Sequence, residues 1–221
     1  GAYAFSKKTN LITCTVPRQI TDLGQNCFNQ CDKLTIFFES EILPGSNGSW
    51  NSGNPYYLAP QSVMQFADRL YVVDQNGQLY LARYLGSDSA VTVEEEVAGL
   101  PVQHIGDYAF RNNSNLQTLH LPYGLQTIGA YAFQGNSRLQ NLTLPDTVHT
   151  IGQRAFYNSA LKNVVLPESL TEIPQYAFYG TKLTSVTIPP NVQLIDTYAF
   201  RSCSYLKVVY VLSEKIAAEI T

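Results

Sequence analysis

Residues 116–133 read Leu116-Gln-Thr-Leu119-His-Leu121-Pro122-Tyr-Gly-Leu125-Gln-Thr-Ile128-Gly-Ala-Tyr131-Ala-Phe133. Over 116–121 the alternation puts Leu119 and Leu121 on one side of an extended strand and Thr118 and His120 on the other. Pro122 ends that strand, because it has no N–H to extend a ladder. Leu125 brings an apolar side chain back to the core three residues later. The stretch from Ile128 to Phe133 then predicts a short helical or 3₁₀ turn on the opposite face.

The stretch recurs along the chain. Ile105, Ile128, Ile151, Ile173 and Ile195 follow one another at spacings of 23, 23, 22 and 22. Each is followed five residues on by Phe (Phe110, Phe133, Phe156, Phe178, Phe200), always preceded by Ala. Each copy then reaches a strand-opening Leu (Leu116, Leu139, Leu161, Leu183, Leu206), and the next Ile always comes 12 residues after that Leu. Only the Phe-to-Leu step varies, between 5 and 6, so the length change is confined to one loop. Pro17, Pro122, Pro145, Pro167 and Pro189 end the strands, and Ile20, Leu125, Val148, Leu170 and Val192 return to the core. The same ruler fits Ala4-Phe5, Leu11, Leu23, Phe28 and Leu34; Gly1 matches Gly129, so the native protein is expected to continue upstream. One such unit cannot cover its own apolar face, whereas stacked copies bury a continuous column with the phenylalanines at its centre. Tyr3, Tyr108, Tyr131, Tyr176 and Tyr198 form a second ladder, expected to stack between coils with its hydroxyls in water.

Composition narrows the function. The chain has 221 residues and only 14% charged positions, with 15 Asn, 15 Gln and 15 Tyr supplying neutral polarity. A net charge of −3 gives no electrostatic reason to expect nucleic acid or an anionic membrane. No run of 18 apolar residues exists to insert into a bilayer.

The pattern L-x-x-L-x-L-P-x-x-L-x-x-I-G-x-x-A-F resembles the BspA-type (Treponema-type) leucine-rich repeat, over residues 1–38 and about 91–212. The resemblance implies an α/β fold: a right-handed leucine-rich-repeat solenoid with a parallel concave sheet and short helical or 3₁₀ turns on its convex side. It also implies a bacterial, extracellular or cell-surface protein that adheres to host or microbial partners. Pro174 and Asp196 stand where the pattern has Gly, and Arg154 where it has Tyr. These departures touch the convex turn and leave the core positions intact.

Residues 39–69 break the ruler. Gly45 to Pro60 is rich in Gly, Ser, Asn and Pro and reads as irregular loop, resembling a terminal cap with Trp50 over the last coil. Leu70–Val73 and Gln78–Tyr84, joined through Asn76-Gly77, predict a β-hairpin. That hairpin is expected as a cap between two repeat blocks. The expected domains are therefore 1–69, the end of a first block with its closing cap, and 70–221, the hairpin and a second block. The final Lys215–Ile220 reads as a short closing helix.

Candidate chemistry is sparse. Cys14 and Cys27 occupy core positions of the repeat, and Cys31 and Cys203 sit where other copies have Asn113 or Asn136. They read as buried free thiols, with a Cys27–Cys31 disulfide or a metal pair as the alternatives. His104, His120 and His149 belong to no recognisable catalytic motif and read as solvated surface side chains; Glu94–Glu96 reads as a solvated turn. No catalytic residue, metal or cofactor is expected. Binding is expected on the outward rows of the sheet: Thr118 and His120, Asn141 and Thr143, Asn163 and Val165, Ser185 and Thr187, Val208 and Tyr210. Trp50, Tyr56 and Tyr57 form a second candidate, an aromatic platform for a sugar, with cap packing as the alternative. The function expected is a non-enzymatic, monomeric recognition or adhesion module for a protein or glycan. The alternative is a structural spacer that presents another domain.

Overall fold

The computed structural model describes residues 2–39, 54, 56–58 and 60–220. The chain divides into two compact units, Gly1–Leu85 and Gly86–Thr221.

In the first unit, β1 (Thr13–Val16), β2 (Thr35–Phe38) and β3 (Tyr56–Leu58) are parallel and in register, with Thr15 beside Phe37 and Phe37 beside Tyr57. β4 (Ser62–Phe66), β5 (Arg69–Val73) and β6 (Leu79–Tyr84) then run antiparallel. The predicted hairpin is β5–β6. Its turn is held by Asp74, whose Oδ1 accepts the N–H groups of Asn76 and Gln78, both at 2.9 Å. β4 extends it, in a stretch where the ruler fails. Where the sequence puts a boundary at 69/70, the compact units of the structure divide after Leu85. The reason is burial: Leu70, Val72 and Ala82 pack on Phe37 and Tyr57 of the parallel strands. The Arg83 guanidinium adds hydrogen bonds to the carbonyls of Asp32 and Leu34, at 3.1 and 3.0 Å.

The second unit begins with β7 (Ala90–Thr92) and a tight hairpin of β8 (Glu96–Val97) and β9 (Leu100–Ile105). The repeats follow, each contributing one strand to each of two sides. The first side holds β10 (Thr118–His120), with β11 (Thr127–Ile128) on the second; β12 (Asn141–Thr143) and β13 (Thr150–Ile151) repeat the arrangement. It continues through β14 (Asn163–Val165), β15 (Glu172–Ile173), β16 (Ser185–Ile188), β17 (Leu194–Ile195) and β18 (Val208–Val211). All pairings among these repeat strands are parallel, and Thr127 and Ile128 lie in register with Thr150 and Ile151. The proline turns form as the sequence implies: Leu125, Val148, Leu170 and Val192 each donate an N–H to the carbonyl of the proline three residues back. These four side chains are fully buried. Ile20 keeps the same turn bond, yet its side chain is 43% exposed.

The Phe turn differs from the short helix expected. Its backbone amides alternate in direction. The N–H groups of Tyr108, Phe110 and Asn112 reach the next coil, at the carbonyls of Ala130, Ala132 and Gln134 (2.9, 2.8 and 2.7 Å). Those of Ala109, Arg111 and Asn113 instead close i to i+3 turns within their own coil. Every coil of the second unit that has a successor repeats the three outward bonds. This geometry requires a positive φ at the residues two before and two after Phe, as at the third position of a type II turn. Tyr108 (59°), Asn112 (58°), Tyr131 (57°), Arg154 (55°) and Asn158 (53°) all have it, and Gly135 and Gly180 occupy the second of these positions in their coils. A helix tolerates no such residue, so the turns form a linked strip of β-turns. The only helix among the described residues is α1 (Glu214–Ile220), where Ser213 Oγ accepts the N–H of Ile216 at 3.3 Å and Ile216 is buried.

Inside this strip the side chains stack. Phe110, Phe133, Phe156, Phe178 and Phe200 form parallel pairs with centroids 5.1 to 5.4 Å apart. The row three residues after Phe is polar and faces inward. Asn136 Nδ2 donates to the carbonyl of Phe110 at 3.0 Å, and Cys203 Sγ donates to that of Phe178 at 3.1 Å. Cys31 Sγ does the same for Phe5, at 3.0 Å. A thiol is a weak donor, but here it takes the place of an amide. Cys27 and Cys31 are buried, whereas Cys14 and Cys203 are half-buried. Burial pushes the Cys14 and Cys27 thiols up.

Three predictions follow from this packing. Phe156→Ala should cost about 3–5 kcal/mol, measured by chemical denaturation, because the ring is fully buried between two others. Gly152→Ala should lower the melting temperature far more than Gly124→Ala. A Cβ on Gly152 would lie 2.4 Å from the backbone nitrogen of Ala130, whereas one on Gly124 meets nothing within 4 Å. Although Asp107 is exposed as a residue, local desolvation where its carboxyl meets the next coil pushes that carboxyl up, partly offset by the N–H of Ala130 that it accepts at 2.7 Å. The folded state therefore holds this proton more tightly than the unfolded chain, and Asp107 loses stability as pH rises above the ordinary value of 3.8. Asp107→Asn should melt higher than the parent at pH 7 and no higher near or below the ordinary value; an equal difference at both pH values would refute the desolvation account.

Candidate functional site

The strands that open each repeat present one side chain outward on either side of a core residue. Leu119, Leu142 and Val186 point inward and are buried; Val164 is half-buried, and Val209 on the last strand is 48% exposed. All ten residues expected on the outward rows are exposed. Thr118 lies in register with Ala90, and His120 with Thr92. Asn141 pairs with Asn163, Thr143 with Val165, Ser185 with Val208, and Thr187 with Tyr210. Asn163 Nδ2 donates to Asn141 Oδ1 at 2.9 Å, so neighbouring coils are linked by side chains as well as backbone.

Thr118, His120, Asn141 and Thr143 share a groove of about 570 Å³ with residues the sequence reading did not single out. Glu95 and Tyr123 form its rim, joined by two bonds from the Tyr123 N–H to the Glu95 carboxylate at 3.1 and 3.0 Å. Tyr123 is 78% exposed, and Asp146 stands at the equivalent position one coil on. The signal for these two was available, since both directly follow the strand-ending proline. Asn163, Val165, Ser185, Thr187, Val208 and Tyr210 continue the rows beyond this groove. The lining offers hydroxyl and amide groups that donate and accept, two carboxylates and one imidazole. No group of three or more His, Cys, Asp or Glu suited to a metal ion occurs among the described residues.

The second candidate comes apart. Tyr56 and Tyr57 are consecutive on β3 and so face opposite sides of it. Tyr57 is half-buried against Phe37 and Tyr80, and Tyr56 meets the edge of Phe38. The pair does not make one platform, and Trp50 lies outside the described residues. His104 is buried, with Nδ1 2.8 Å from Thr127 Oγ1, while His120 and His149 are exposed.

Among solved structures, the chain is similar to the T. pallidum leucine-rich repeat protein, at 31% identity over 67% of this chain and 71% of that one, with a TM-score of 0.62. A leucine-rich cell surface protein from Faecalibacterium prausnitzii shares the fold at 20% identity and a TM-score of 0.54; the match covers 98% of this chain and 64% of that one. A leucine-rich-repeat protein from Eubacterium ventriosum does so at 20% identity and a TM-score of 0.53, over 95% and 57% of the two chains. No curated protein sequence matches significantly. The model of the BspA-type leucine-rich-repeat region matches six copies over residues 1–46 and 96–214. With most of its length in those copies and the same solenoid in its structure, the chain belongs to the BspA-type leucine-rich-repeat family.

Proposed function

We propose that this chain is a non-enzymatic cell-surface recognition module that binds a protein or glycan partner across the outward face of the repeat sheet in its second unit. The observation that carries the reading is the face itself: two exposed rows, in register within each of the parallel pairs β7–β10, β12–β14 and β16–β18, with a groove of about 570 Å³ at their head. The side chains of the rows carry no formal charge and meet a ligand's polar groups without the desolvation penalty of buried charge, while Glu95 and Asp146 add carboxylates to the groove lining. The first unit supplies a contrast. There Phe37 and Tyr57 are covered by the hairpin, so the corresponding face is partly closed. The surface location and the host or microbial partners are part of the proposal, supported by the family and by the description of the Faecalibacterium relative as a cell surface protein.

The test is binding of the chain to an array of extracellular-matrix proteins and glycans, beside a variant carrying His120→Glu, Asn163→Glu and Tyr210→Glu. The expected result is a partner retained by the parent and lost by the variant, with circular dichroism unchanged. Retention by both would remove the sheet face from the function, and no retention by the parent would favour the spacer reading. Affinity for such a partner should change by less than about tenfold between low and physiological salt, because screening acts chiefly on exposed charges.

A further inference from the structure

On the Phe-turn side, arginine and tyrosine side chains form a column that the sheet face does not use. Tyr108 and Tyr131 stack with centroids 4.8 Å apart. Arg154 takes the place of the next tyrosine, its guanidinium 5.5 Å from the Tyr131 ring centre and 4.5 Å from that of Tyr176, and it donates to the Tyr131 hydroxyl at 2.8 Å. Tyr176 and Tyr198 follow at 5.2 Å. Arg111 lies 5.3 Å over Tyr108, and Arg201 lies 4.6 Å over Tyr198. Both arginines occupy the position directly after Phe in their coils and lie against the tyrosine of the same coil. The column therefore runs Tyr108, Tyr131, Arg154, Tyr176 and Tyr198, with Arg111 and Arg201 against its two terminal rings, so every second coil contributes a guanidinium.

None of these three arginines takes part in an ion pair among the described residues. The nearby acids are engaged elsewhere: Asp107 accepts the Ala130 N–H, and Asp196 accepts the N–H of Thr197. The net charge of −3 conceals a segregation. In the stretches 108–122, 131–145, 154–167, 176–190 and 198–212, which run from the Phe turn to the end of the strand, there are seven Arg or Lys and no Asp or Glu. Acids within the repeats fall in the other leg, at Asp107, Asp146, Glu168, Glu172 and Asp196.

We propose that this column is a second interaction surface, which binds a linear acidic polysaccharide along the stack. A guanidinium held against a ring keeps its in-plane N–H donors at the edge, where they match a sulfate or carboxylate. Between arginines, tyrosine edges and hydroxyls meet sugar hydroxyls. Nucleic acid fits poorly. The rings lie against one another or against guanidiniums, which leaves little open face on which a base could stack. Duplex phosphates about 3.4 Å apart along each strand would also far outnumber the arginines.

The experiment is retention of the 221-residue chain on immobilised dextran sulfate, neutral dextran and duplex DNA. It compares the parent with the triple variant Arg111→Gln, Arg154→Tyr and Arg201→Gln. Arg154→Tyr restores the ring that other repeats carry, so the stack is kept while charge is lost. A second variant, Lys162→Gln, Lys182→Gln and Lys207→Gln, removes equal charge away from the column. The expected result is parent binding to dextran sulfate alone, weakened at least about tenfold in the arginine variant and within about twofold of the parent in the lysine variant. Equal weakening in both variants, equal binding to DNA, or no binding by the parent would overturn the proposal. The sheet-face variant should bind dextran sulfate as the parent does, so this surface and the sheet face succeed or fail separately.

Discussion

The structure depends on where the amides of the Phe turn go. A coil of 22 or 23 residues turns too sharply to satisfy its own backbone, and a buried N–H without an acceptor is costly. The chain solves this by sending alternate amides forward to the next coil and backward to its own turn. The solution needs two left-handed residues in every coil, each costing on the order of 1 kcal/mol when it is not glycine. That strain persists because the neighbouring coils enforce it, and a coil taken from the stack would lose both the acceptors and the reason for the conformation. Stability is therefore cooperative along the array. The same constraint explains Gly152, whose missing side chain lets the backbone of the preceding coil approach at Ala130.

Substitutions within the repeat are tolerated when they preserve a role. Arg154 is flat and stacks, so it takes a tyrosine's place between two rings while adding a charge. Cys31 and Cys203 stand in an asparagine row because a thiol can still reach the phenylalanine carbonyl of the previous coil. Read as small hydrophobes, they would only fill space; read as donors, they belong to the same inward polar row as Asn136. The type of residue changes, and the group it must satisfy stays the same.

Much of the architecture is legible in the sequence because burial with period 2 in the strand and a fixed Leu-to-Ile distance leave one way to stack the copies. The ten outward residues follow from parity alone. Other features leave no such trace. Positive φ at Tyr108 or Arg154 is imposed by hydrogen bonds to another coil, and neither residue type advertises it. The packing of the hairpin on Phe37 and Tyr57 leaves no trace of its own in strand periodicity, which does not say what an apolar side will meet. Tyr56 and Tyr57 look like a platform when counted as adjacent aromatics and cease to when they are placed on a strand. Glu95 reaches the groove rim through the Tyr123 amide, 28 residues away, a contact that only the closing of the first coil produces.

The division of labour around each coil follows from these constraints. The interior rows are constrained by packing and by the carbonyls they must cap, so most of the freedom lies at the outward strand positions, the residue after the proline and the exposed edges of the Phe turn. In this chain those freedoms are used differently. The strand positions are neutral, the position after the proline is acidic in Asp146 and Glu168, and the Phe turn carries arginines on tyrosines. Charge placed on the sheet face would repeat every coil about 4.8 Å apart, and like charges directly opposite destabilise a sheet. Charge on the Phe turn is spaced by intervening rings and held in register by stacking. A solenoid with a bland sheet and a charged turn strip thus places ionic groups where the repeat tolerates them best.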